Sequence, residues 1–100
     1  MIPVGTIEAL TRYLEYGISP GSGLTAVLEG DLFGSYANLD RDNLASLNEI
    51  VCLIRQKFPS ASYGSRKNTH DWGKNQELRE GCSYQTNKVV QHLGQMLHSA

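Results

Sequence analysis

Between residues 40 and 58 the apolar side chains Leu44, Leu47, Val51, Ile54 and Phe58 recur at alternating steps of three and four. That spacing lays them along one face of an α-helix. Ile50 and Leu53 widen the face beyond what a lone surface helix needs, so at least two other elements must cover it. Asp40 suits the N-cap, where a carboxylate accepts from the free amides of the first turn, and Asp42 suits the positive end of the dipole. Arg55 and Lys57 fall in the last turn, opposite the partly negative carbonyl end, and Pro59 forbids continuation. The pattern predicts a central helix over residues 40–58.

Three longer helices and one short one are predicted around it. Residues 1–17 carry Ile7, Leu10 and Leu14 on one stripe, with Glu8, Arg12 and Glu15 off it. Pro3 fits a first helical position, Thr6 offers a second cap, and Gly17 is a left-handed stop. After the Pro20-Gly21 turn, residues 22–33 set Leu24, Val27, Leu28 and Leu32 on a buried face. Ser22 is the N-cap there, Gly30 marks a close helix approach, and Gly34 is the end. Residues 35–39 link onward, with Tyr36 and Leu39 packing over the junction. Beyond Pro59 the aliphatics thin out. Residues 60–64 read as a loop, 65–72 as a short helix capped by Ser65 and anchored by Trp72, and 73–82 as an irregular linker. Residues 83–97 form the last helix, with Val89, Val90, Leu93, Met96 and Leu97 on one face.

No period-two alternation persists beyond a few residues, so the expected fold class is all-α, a small helical bundle of about four helices. The expected organisation is a helical core domain over residues 1–72, a linker over 73–82, and a C-terminal helix over 83–100 that packs on the core or on a neighbouring subunit. The wide face of the central helix, in a chain of 100 residues with limited apolar surface, favours a homo-oligomer.

Composition narrows the function classes. Hydrophobic residues are 40% and charged residues 19%, with a formal net charge of −1, which is ordinary for a globular chain. A nucleic-acid binder would carry a basic excess, so nucleic acid is not the expected partner. No apolar run approaches the roughly 18 residues of a bilayer span, and no export signal precedes the first helix, so no membrane is implied. Cys52 and Cys82 fit a reducing compartment, which makes the expected location cytoplasmic. Cys52 lies beside the apolar face of the central helix and reads as a small core hydrophobe. No nucleophile-elbow serine and no Cys with a base at family spacing is present, so no enzyme activity and no cofactor are expected. His70, His92, His98 and Cys82 match no zinc spacing.

Two stretches suit an anion. Pro20-Gly21-Ser22-Gly23 runs into a helix start, where two glycines allow close backbone approach and free amides favour a phosphate. No lysine follows at Walker A spacing, and as a turn plus N-cap the stretch needs no ligand. The second runs from Tyr63 through Ser65, Arg66 and Lys67 to Trp72. Adjacent cations suit phosphate, and aromatic faces suit a base. The plainer alternative is a polar segment tied down by Tyr63 and Trp72 on the core. The candidate ligand-binding residues are therefore Gly21, Ser22, Gly23, Tyr63, Ser65, Arg66, Lys67 and Trp72.

The order of several short motifs resembles a family of small proteins from tailed phages and prophages, over about residues 3–72. The motifs are Arg12-Tyr13 on the first helix, Gly17, the Pro20-Gly21-Ser22 turn, an apolar run ending in Asp31-Leu32, an Asn-Leu helix, Pro59, Gly64-Ser65 and Trp72. One departure is Asn48, where similar sequences carry proline; a break there would leave a short turn followed by a helix from about Asn48. The resemblance implies phage origin and carries no chemistry by itself. Small neutral phage proteins that are not enzymes often act by binding. The expected function is counteraction of host defence by non-catalytic binding in the infected cell, with a nucleotide immune signal as the small anionic ligand. The alternatives are an inhibitor or adaptor of a host protein, and a transcriptional regulator, for which the candidate reading helix is acidic at its start.

Overall fold

The computed structural model describes residues 1–98. Among these the chain forms eight α-helices and one 3-10 turn. The all-α class holds, while the helix number is twice that expected from periodicity. The reason is local. Glycines and capping side chains break the longer apolar patterns into short helices that turn corners.

Helix α1, Val4–Tyr16, buries Ile7, Leu10, Tyr13 and Leu14 and stops at Gly17, whose φ of 71° is the left-handed conformation. Helix α2, Ser22–Glu29, begins at Gly21 without a side-chain cap, so Ser22 is not the N-cap. It ends at Gly30, again left-handed with φ 81°. Gly30 therefore terminates a helix instead of marking a close approach. Asp31 then caps α3, Leu32–Asn38, by accepting from the Gly34 amide at 2.9 Å. The reorientation carries Leu32 and Tyr36 to the surface, where they are 61% and 60% exposed, and only Leu39 packs inward.

The central helix is two helices. Asp40 caps α4, Arg41–Ala45, through the Asn43 amide at 2.9 Å. Ser46 departs from helical geometry at ψ 13°, and α5 spans Leu47–Lys57. The break falls two residues before Asn48, at a serine whose hydroxyl donates to the Met1 carbonyl. Rotation at Ser46 sets the buried face on Ile50, Leu53 and Ile54 and leaves Val51 and Cys52 exposed. Cys52 is therefore not a core residue.

After the 3-10 turn Ser60–Ser62, Ser65 caps α6, Arg66–Lys74, through the Asn68 amide at 3.1 Å. The expected irregular linker contains a helix, α7, Gln76–Gly81, capped by Asn75. Helix α8, Ser83–His98, packs on α1 of the same chain. Val89 and Leu93 thereby join the core formed by Leu10, Leu28, Ile50 and Trp72. The radius of gyration of 12.4 Å agrees with the ~13 Å expected for a domain of this length.

Candidate ligand-binding cleft

A hollow of about 420 Å³ lies between the end of α1, the segment leading into α2, and one face of α6. Its α6 wall holds Thr69 and Gly73 and, beside them, Arg66, His70 and Lys74. The last three are four apart, so successive side chains stand one above another on the helix. Ser65 sets the helix start, and with it the direction in which this column points. The other side holds Ser19 and Pro20 with Thr25 and Glu29 of α2, and the Thr69 hydroxyl of α6 comes within 3.3 Å of Glu29.

Two glycines let these elements meet. A Cβ on Gly17 would stand 3.0 Å from the Gly73 Cα and 2.5 Å from Arg79 Nη1, and one on Gly73 would stand 3.3 Å from the Gly17 carbonyl oxygen. Gly17 is therefore demanded twice, by its positive φ and by α6 crossing against it. Arg79 donates to the Trp72 carbonyl and so holds its guanidinium over the same crossing.

The cleft combines cations with one carboxylate. The Thr69 hydroxyl lies 2.9 Å from the Arg66 carbonyl and 3.3 Å from Glu29 Oε2. Having one proton to give, it favours the shorter bond and leaves most of the Glu29 acceptor capacity open. Below lies Tyr13, whose phenol donates to the Ser62 carbonyl at 2.7 Å. Burial, and after it the Glu29 charge, push the Tyr13 phenol well above its ordinary pKa. A phenol that is held neutral and already donating is poorly suited to proton transfer.

Of the eight residues singled out in the sequence, Arg66 alone lines this cleft. Gly21, Ser22 and Gly23 line a neighbouring hollow of about 210 Å³ that shares Pro20 with it. The facing side there includes Asp40, whose negative charge opposes an anion. A Cβ on Gly23 would meet Leu39 and the Asn38 carbonyl at 2.8–2.9 Å, so that glycine serves the packing of α2 on the end of α3. Tyr63 faces a small apolar hollow with Val27, Val51 and Ile54. Ser65 acts as a cap. Lys67 pairs with Asp71 at 2.9 Å on the outer side of α6. Trp72 has 0% exposure, which corrects the expectation of a stacking face: no base can reach it.

Ser19, Thr25, Glu29, Thr69, His70 and Lys74 line the cleft and lie outside the eight residues singled out in the sequence. The spacing of Arg66, His70 and Lys74 was the available signal. Ending the short helix at Trp72 concealed it, because Lys74 then fell in a linker. Among the described residues no three His, Cys, Asp or Glu side chains gather as metal ligands would, and no helix is long and apolar enough to cross a membrane. No protein-family model, no curated protein and no solved structure matches this chain.

Proposed function

We propose that the chain is a non-catalytic binding protein that captures a small anionic ligand of the nucleotide class in the cleft between α6 and the α1–α2 segment. The observation that carries this reading is the column of Arg66, His70 and Lys74 opposite the Ser19 and Thr25 hydroxyls. Guanidinium and ammonium groups recognise phosphate by charge-assisted bonds, and hydroxyls complete the hydrogen-bonding shell. The motif order over residues 3–72 supports a phage origin, in which capture of a nucleotide immune signal in the cytoplasm of the infected cell counters host defence. Assembly into a homo-oligomer would close the cleft further from water. Native mass spectrometry of protein purified from cells with an active cyclic-nucleotide defence tests the reading. A nucleotide released in simple ratio to chains is the expected result; protein that emerges empty sinks it.

A second reading is inhibition or adaptation of a host protein. The observation favouring it is α3, which exposes Leu32 at 61%, Phe33 at 86% and Tyr36 at 60%. Aromatic side chains on an exposed helix are typical anchors of protein interfaces. Phe33→Glu should then abolish a stoichiometric complex with the host protein while leaving the melting temperature unchanged. Retention of the complex by that variant removes this reading.

A further inference from the structure

The cleft has a feature that a site for bare phosphate would not tolerate well. Glu29 lines the same cleft as Arg66, His70 and Lys74. The Thr69 hydroxyl that reaches its Oε2 at 3.3 Å lies closer to the Arg66 carbonyl, at 2.9 Å, which leaves most of the carboxylate's acceptor capacity open. An anion bound by Arg66 and Lys74 is repelled by that carboxylate unless the ligand also brings donors to it. A carboxylate offers about four acceptor positions, and a vicinal pair of hydroxyls engages two of them together. The opposite wall offers more hydroxyl chemistry: Ser19 Oγ lies 3.4 Å from Thr25 Oγ1 and accepts from the Gly21 amide at 3.3 Å.

What the cleft lacks matters equally for its ligand. Trp72 is fully enclosed, the Tyr13 ring is 3% exposed, and Tyr63 faces a different hollow. Of the Trp, Tyr and Phe side chains, the lining of the cleft includes Tyr13, which is buried. The exposed His70 imidazole stands in the column with Arg66 and Lys74, so no large aromatic plane among the described residues is left open for a base. Base recognition by stacking needs such a plane. The volume of about 420 Å³ is at the small end of the roughly 300–1,000 Å³ usual for small-molecule sites, which fits one sugar phosphate and not a whole dinucleotide.

We infer that the cleft reads the ribose–phosphate portion of its ligand, with phosphate on Arg66, His70 and Lys74 and ribose hydroxyls on Glu29, and leaves the base outside. This rests on the cleft being the anion site proposed above. It goes further in assigning Glu29 as the residue that selects a hydroxylated phosphate over phosphate alone.

The test is calorimetric titration of the full chain with inorganic phosphate, ribose 5-phosphate and the ribonucleoside 5′-monophosphates of adenine, guanine, cytosine and uracil. Ribose 5-phosphate should bind at least about tenfold tighter than inorganic phosphate, and the monophosphates should lie within about threefold of ribose 5-phosphate. Glu29→Gln, which is the same size and keeps an acceptor, should remove most of the preference while leaving inorganic phosphate binding no weaker. Equal binding of phosphate and ribose 5-phosphate by the wild-type chain overturns the inference, as does one base exceeding the others by about tenfold or more. Those outcomes leave the anion cleft standing. Failure of every probe to bind, with Arg66→Ala indistinguishable from wild type, removes the cleft and this inference with it.

Discussion

The indole nitrogen of Trp72 donates a 3.0 Å hydrogen bond to the carbonyl of Tyr13, across 59 positions of chain. The same carbonyl accepts the Gly17 amide at 2.9 Å, and the two rings tilt together with centroids 6.4 Å apart. One carbonyl thus ends α1 and fastens α6 to it, and the cleft forms where these helices meet.

Trp72 is consequently a structural anchor. Trp72→Ala should cost about 3–5 kcal/mol, the range for a large aromatic removed from a packed core. Trp72→Phe keeps most of the apolar contact and loses the Nε1 bond, while the Tyr13 carbonyl keeps its Gly17 partner. Its cost should be nearer ~1–2 kcal/mol. Urea denaturation monitored by circular dichroism measures both. Trp72 is the single tryptophan, so its emission in the wild-type chain should resist acrylamide quenching and stay constant on addition of ribose 5-phosphate. An accessible, ligand-sensitive indole would return it to the ligand site.

Tyr13 gives the fold an alkaline limit. Its phenol is raised by burial and then by Glu29, so the folded chain holds the proton after the unfolded chain has released it. The stabilisation is complete below the unfolded value near ~10. Above that value it declines by up to about 1.4 kcal/mol per pH unit, until the folded pKa is reached. Tyr13→Phe should flatten this decline. At neutral pH the same variant should lose about 1–3 kcal/mol, because the Ser62 carbonyl forfeits its buried donor. Equilibrium unfolding at a series of pH values from neutral to strongly alkaline separates the two effects. Parallel curves for wild type and variant would contradict the account.

Gly17 and Gly94 should respond oppositely to alanine. At Gly17 the positive φ costs an L-residue about 1–2 kcal/mol, and the new Cβ presses on Gly73 and Arg79. Gly17→Ala should therefore destabilise by more than that and weaken ligand binding as α6 shifts. Gly94 sits inside α8 with open space where a Cβ would go. Gly94→Ala should stabilise by about 0.5–1 kcal/mol. Thermal melts of the two variants read the contrast directly.

The sequence was most legible where a single residue acts locally. Gly17 as a left-handed stop, Asp40 and Ser65 as caps, and Leu10, Leu14, Val89 and Leu93 as core positions all follow from spacing and side-chain chemistry. It was least legible where tertiary contacts chose between two local options. Gly30 ends a helix because Asp31 can start another, and periodicity alone runs through both. Ser46 breaks the central helix to meet the Met1 carbonyl, a contact no window of sequence contains. The candidate site suffered from the same cause. Trp72 looks alike as an anchor and as a stacking platform until the Tyr13 carbonyl stands opposite its indole nitrogen, and Arg66 could be separated from Lys67 only after α6 was oriented.

Those two cations, with Lys74, provide the sharpest check on that orientation. Lys67 makes an exposed pair with Asp71 one turn on, an interaction worth only a few tenths of a kcal/mol. Lys67→Ala should leave ribose 5-phosphate affinity within about twofold of wild type. Lys74 is also exposed, yet it stands on the cleft wall. Its loss removes one charge-assisted bond to phosphate, so Lys74→Ala should weaken binding by about tenfold or more. It should change stability only slightly, through its place in the last turn of α6. Raising the salt concentration should weaken the wild type and Lys67→Ala alike, and Lys74→Ala less, because one screened contact is already gone. The reverse ranking would locate the anion on the outer side of α6, beside Lys67, and would detach ligand binding from the cleft that Gly17 and Trp72 hold open.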